Sequence, residues 1–153
     1  MRPFETLTPR GQARRLRRVA LAALEQFDLE VTRVALLAHA TNMLFRVRTE
    51  GGSSYVLRVC APEWRDDVDL QSEAMWLAAL ARESDIGAPV PIPARTAGPL
   101  GPYVVVADAK GVRLLRCVLM SWIPGTPLGR LLSEGNLVKM GKLFARMHAH
   151  GAA

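Results

Sequence analysis

The chain has 153 residues, 50% of them apolar and 22% charged, which suffices for a packed core and is too apolar for a disordered tail. Its net charge of +6 is concentrated: six of the arginines (Arg2, Arg10, Arg14, Arg15, Arg17, Arg18) fall in the first twenty residues beside one acid, Glu5, and the remainder carries 14 bases against 13 acids. That distribution argues against a basic nucleic-acid-binding domain, no apolar run approaches the roughly 18–20 residues that span a bilayer, and the start lacks the apolar core of a signal peptide.

Thr8-Pro9 is a helix start, a hydroxyl cap followed by proline at the first helical position. Leu16, Val19, Ala20, Ala23, Leu24 and Phe27 follow at helical spacing, so a helix is expected from Pro9 to about Phe27 with one packed stripe. Its arginines lie on other faces, either as a solvated surface or as a patch for phosphate or membrane. From Leu29 the texture turns to strand, with Val31–Leu37, Met43–Thr49 and Ser54–Cys60 as candidates and Glu50-Gly51-Gly52-Ser53 as the tight link between the last two. Cys60 and Cys117 match no zinc or redox spacing and are expected as small apolar residues in strands. With only His39, His148 and His150 beside them, no metal pattern stands out, and a reduced, cytoplasmic setting is the expectation.

In the third strand Val56, Arg58 and Cys60 share one face. An arginine amid apolar neighbours requires a partner or a ligand, because an unpaired buried charge is costly. The next helix, Asp66 to about Arg82, offers one: its stripe is Leu70, Ala74, Leu77 and Ala81, and Glu73 stands three after Leu70 and four before Leu77. Gly87–Pro102, with five prolines and three glycines, reads as an extended connection. Tyr103–Ala107 and Val112–Ile123 then read as two strands about the turn Asp108-Ala109-Lys110-Gly111. Pro124-Gly125-Thr126-Pro127 ends the second, a short helix is expected over Leu128–Glu134, and Asn136 can cap a last helix striped by Met140, Leu143, Phe144 and Met147.

The fold class is therefore α+β: a five-stranded antiparallel sheet with one helix inserted after its third strand, preceded by a helix and followed by helices. That is the layout of a protein-kinase-like small lobe, and the sequence resembles the aminoglycoside phosphotransferase and homoserine kinase-like family of small-molecule kinases. Ala40-Thr41-Asn42-Met43-Leu44-Phe45-Arg46-Val47 resembles the family's nucleotide loop, although without its glycines, which puts close backbone approach to phosphates in question. Tyr55-Val56-Leu57-Arg58-Val59 resembles the strand whose basic residue contacts nucleotide phosphates, with arginine where protein kinases have lysine, and Ser72-Glu73-Ala74 resembles the helix whose glutamate orients that base. Leu119-Met120-Ser121-Trp122-Ile123-Pro124-Gly125 resembles the hinge strand that offers backbone groups to adenine, and Gly141–His148 resembles the helix leading to the catalytic loop.

The resemblance implies a division into a basic amphipathic helix (residues 1–28), a nucleotide-binding small lobe (29–123) and the first helices of a large lobe (124–153). It also implies nucleotide-binding roles for Asn42, Arg58, Glu73, Met120, Ser121, Trp122 and Ile123. It does not supply catalysis, since the family's His-Gly-Asp loop, proton-accepting Asp and metal-binding Asp have no counterpart after Met147-His148-Ala149-His150-Gly151. The expected function is the N-terminal part of an ATP-dependent phosphotransferase for an aminoglycoside or amino-alcohol type hydroxyl, inactive alone, with Mg2+ required only by a full-length parent. A plain Arg58–Glu73 bridge without ligand stays open, as does a stand-alone, non-catalytic module that binds nucleotide or protein. The stripe of the last helix, exposed without a large lobe, implies a possible homodimer.

Overall fold

A computed structural model describes residues 4, 6–61, 65–95, 103–108 and 113–152. Helix α1 (Pro9–Leu24) starts where the cap chemistry places it, with the Thr8 hydroxyl accepting from the Gly11 amide at 3.2 Å. Val19, Ala20, Ala23 and Leu24 are buried while Arg10, Arg14, Arg17 and Arg18 are exposed. The helix stops three residues short of Phe27 because the chain tightens, Gln26 and Phe27 donating to Ala23 and Leu24 at 3.1 Å each. Phe27 is nevertheless fully buried. Its carbonyl accepts two bonds from the Arg95 guanidinium, at 3.2 and 2.8 Å, which tie this turn to the segment around Ala94 in the same core.

Five strands, β1 (Val31–His39), β2 (Met43–Thr49), β3 (Ser54–Val59), β4 (Val104–Ala107) and β5 (Leu114–Ser121), form one antiparallel sheet in the order β1-β2-β3-β5-β4. The β2–β3 link turns on Gly52, whose φ of +78° an L side chain would resist. Strand alternation separates two faces. Phe45, Val47, Leu57, Val59, Cys117 and Leu119 form a core with the buried stripe of α1, and each such fully buried large side chain contributes about 1.5–3 kcal/mol. Both cysteines are free and buried, as expected of small apolar residues.

The opposite face belongs to helix α2 (Asp67–Glu83), which begins one residue later than expected because Asp66 is its cap. The Asp66 carboxylate accepts from the Asp69 amide at 2.8 Å, and Asp69 returns the bond to the Asp66 amide at 3.4 Å. Its buried stripe is Leu70, Leu77 and Leu80. Leu80 takes the place expected of Ala81, which is exposed. The extended segment after α2 lies along β5 beyond the reach of β4, with the Ile92 amide donating to Leu119 at 2.8 Å and the Ser121 amide to Val90 at 2.9 Å. Strand β5 is shorter than expected at its end, leaving Trp122 and Ile123 outside the ladder; the turn at 109–112 lies outside the described residues.

The expected helix over Leu128–Glu134 is a single 3-10 turn, Leu128–Arg130. Helix α3 (Glu134–Gly151) is capped by Ser133, whose hydroxyl accepts from the Asn136 amide at 3.2 Å. Asn136 is thus inside the first turn and not the cap, and its side chain donates back to the Leu131 carbonyl at 2.8 Å. No residue of α3 is buried. No described helix is long and apolar enough to cross a membrane.

Candidate functional site

Register brings the predicted residues of β2, β3 and β5 into rows. Leu44 stands opposite Arg58, which stands opposite Val118, and in the next row Arg46 faces Val56 and Val56 faces Met120. Since these positions alternate with the core residues Phe45, Leu57 and Leu119, they share the face toward α2. Above them Glu73 reaches down from α2. The Arg58 fork meets its carboxylate twice, Nη1 to Oε1 at 2.8 Å and Nη2 to Oε2 at 2.5 Å, the bidentate geometry that lysine cannot make. The hydrogen bonds from Arg58 hold the Glu73 carboxyl below its ordinary range, against burial. The same pair raises the Arg58 guanidinium, again against burial. One donor remains unspent: Arg58 Nε is buried and has no hydrogen-bond partner.

This pair closes one side of an open cleft of about 440 Å3, whose other walls include Ala38, Asn42, Leu44, Val56, Leu77, Pro89 and Met120. The walls are apolar apart from the Arg58–Glu73 pair, Thr41 and Asn42. The loop over it is tight without glycine: the Ala40 amide donates to the Asn42 carbonyl at 3.1 Å, and no described non-glycine residue needs a positive φ. Asn42 braces the loop, its Oδ1 accepting from the Ala61 amide at 3.1 Å at the end of β3.

The other predicted residues run off the end of β5. Ser121 is engaged twice with Val90, its hydroxyl accepting from the Val90 amide at 2.9 Å while its own amide donates to the Val90 carbonyl. Trp122 lies under the Arg46 guanidinium, 4.2 Å from the ring centroid. Among the described residues, neither Trp122 nor Ile123 makes a backbone hydrogen bond, so their amide and carbonyl groups are available. Such an assembly can hold a flat heterocycle against apolar walls by backbone bonds, with a fixed cation for an anionic extension. The described residues include no cluster of three or more His, Cys, Asp or Glu able to hold a metal.

Sequence reasoning missed two neighbours of this site. Arg116 of β5 donates through Nε to Asp67 in the first turn of α2, and the hydrogen bonds of Arg116 and then Tyr103 hold the Asp67 carboxyl low. The signal was present in Asp67 beside the cap, but its partner is 49 residues away. The second is Arg46, whose fixed place over Trp122 depends on the β2–β3–β5 register. His39 is exposed at the end of β1 and lines a small cavity of about 90 Å3 on the α1 side.

The chain resembles two solved kinases. It is 27% identical to a microcompartment-associated aminopropanol kinase, with a TM-score of 0.60 over 72% of this chain and 32% of that one. With an amicoumacin kinase, solved in complex with AMP-PNP, Ca2+ and Ami, the TM-score is 0.69 at 19% identity, over 94% of this chain and 42% of that one. The chain therefore spans less than half the length of either, and the second likeness concerns the fold. No curated protein matches the sequence. Residues 32–153 match the phosphotransferase enzyme family (APH), the stretch that holds the sheet, the Arg58–Glu73 pair and the end of β5, and the chain belongs to that family.

Proposed function

We propose that the cleft between β3, α2 and the end of β5 holds an adenine nucleotide, and that the chain is the N-terminal, nucleotide-holding part of an ATP-dependent phosphotransferase. Its acceptor would be a hydroxyl of an aminoglycoside or amino-alcohol type small molecule. The observation that carries this reading is the bidentate Arg58–Glu73 pair at the cleft, with a buried Arg58 Nε still lacking an acceptor. The kinases of similar fold, one an aminopropanol kinase and one complexed with AMP-PNP, support it.

Phosphoryl transfer depends on positioning and on charge held in place before reaction. Arg58 grips phosphate oxygens. Glu73 fixes the guanidinium so that no reorganisation is needed when charge moves. The backbone of Trp122 and Ile123 bonds the adenine edge, while the Met120 side chain lines the cleft and Ser121 ties that strand end to Val90. Asn42 holds the overlying loop to β3. ATP, when bound, supplies the transferable phosphoryl group. In this reading residues 29–123 form the nucleotide-holding lobe, residues 1–28 brace it from behind, and residues 124–153 lead into a second lobe. The sequence contains no His-Gly-Asp tripeptide, so this chain by itself is expected to bind without transferring.

The exposed apolar side chains of α3 favour a second reading, a non-catalytic module that binds nucleotide and presents this helix to a protein. Thermal-shift titration tests the shared part. ATP should raise the melting temperature beyond an equal concentration of tripolyphosphate, and Arg58→Ala should abolish the difference. No base-dependent stabilisation at millimolar ATP would overturn the nucleotide site. Phosphotransfer by the 153 residues alone would contradict the absence of catalysis.

A further inference from the structure

We propose that Arg33, Arg46 and Arg48 form a second anion site, built for a compact phosphate-type oxyanion, on the sheet outside the nucleotide cleft. The register places them together. Arg33 of β1 stands opposite Arg48 of β2 after an irregularity between Val31 and Arg33, and Ala35 stands opposite Arg46. Residues two apart on a strand share a face, so three guanidiniums crowd one side of two adjacent strands. The small Ala35 side chain leaves room among them for a hollow of about 230 Å3 lined by these four residues.

Like charges directly opposite across a ladder destabilise a sheet, and among the described residues no acidic side chain offsets them. Among the described residues no carboxylate lies within ion-pair distance of the three; Glu30 and Glu50, at the neighbouring strand ends, are not paired with them. Arg46 is moreover held in place without an anion. Its guanidinium stacks on Trp122 and Nη2 donates to the Ser54 hydroxyl at 3.3 Å, while Nε is buried and has no acceptor. A buried donor left unmet is costly. A tetrahedral oxyanion would accept from that Nε and from the forks of Arg33 and Arg48 at once, and would neutralise the repulsion. Arginine suits this task because its donors form a rigid planar fork. The hollow is small and is lined by four residues of β1 and β2, which favours a phosphoryl group over an extended acidic polypeptide.

Pyrophosphate is the probe, followed by melting temperature and by the NMR signal of Arg46 Nε–H, against sodium chloride of equal ionic strength. Pyrophosphate should raise the melting temperature and shift the Arg46 signal. Arg33→Gln or Arg48→Gln, both at exposed positions, should each weaken binding about tenfold, the loss of one charge-assisted contact. Without anion these variants should melt at or above the wild type, because repulsion is relieved. Arg58→Gln, which removes the phosphate contact of the nucleotide cleft, should leave the shift of the Arg46 signal intact, so failure of this site and failure of the nucleotide cleft give different patterns. Phenyl phosphate beside inorganic phosphate distinguishes a phosphomonoester from the free ion, either of which supports the site. A response no larger than that of chloride, one retained by the Arg33→Gln/Arg48→Gln double variant, one lost only in Arg58→Gln, or binding of polyglutamate alone would overturn it.

Discussion

Arg58 occupies a position between Leu57 and Val59, both buried, where an unpaired guanidinium would be expensive. Glu73 offsets that cost, and the pair keeps side-chain exposures of only 15% and 29%, so water screens it less than a surface bridge. Its pH dependence follows from the depressed Glu73 carboxyl, whose ordinary value is 4.5. The contribution of the pair is complete above that value and is lost as pH falls through the lowered one. Glu73→Gln should therefore be destabilised relative to the wild type at neutral pH, with the gap in melting temperature closing as pH falls below the ordinary carboxyl value of 4.5. A gap that persists undiminished into acid would show that the carboxylate charge is not what the pair contributes. Arg58 and Glu73 were readable from sequence because each breaks an apolar face whose period is visible locally. Arg33, Arg46 and Arg48 were not, since only a strand register containing an irregularity sets Arg33 against Arg48.

At the level of elements, α2 is held to the sheet by little apolar area, with Leu70, Leu77 and Leu80 its only buried residues. Polar contacts therefore decide where it sits: the ion pairs of Asp67 with Arg116 at its first turn and Glu73 with Arg58 further along, and the approach of His150 of α3 to Glu83 at 3.4 Å near its end. Arg116→Gln should free the first turn. Faster hydrogen exchange in the α2 amides and weaker ATP stabilisation, with the sheet amides unchanged, are the expected outcome; unchanged exchange would mean that Leu70 alone anchors the helix. The sequence located α1, α2 and all five strands because stripes and alternation are local. It misjudged their ends wherever two local signals competed. Ser133 and Asn136 can both cap α3, and the winner is the residue whose backbone is extended at the boundary, Ser133 at φ −151° and ψ 157°. Phe27 fits the stripe of α1 yet leaves the helix, because the Arg95 clamp on its carbonyl comes from 68 residues away.

The whole molecule is a sheet with one face sealed by α1 and the other only partly covered by α2, and the asymmetry extends to α3. Leu143 and Phe144 of its apolar stripe are 39% and 49% exposed, Met140 and Met147 of the same stripe are half-buried, and Leu137 and Val138 beside it are 45% and 51% exposed. Water-facing apolar groups at that density lower the free energy of any arrangement that covers them, at about 25 cal/mol per Å2 of apolar surface removed. A second copy of the chain is always present to provide such cover, and α3 is attached to the rest mainly through the polar contacts of His150 to Glu83 and Arg146 to Asp85. The chain is therefore expected to self-associate through α3 as concentration rises, with the mass from light scattering moving toward a dimer. Leu143→Glu/Phe144→Glu should restore the monomer without loss of helical or strand signal in circular dichroism, because neither side chain contributes to the core. ATP-dependent stabilisation should survive in that variant, since the cleft lies on the sheet face beneath α2. A wild-type chain that stays monomeric at high concentration would show that the contacts between α3 and α2 already satisfy the stripe.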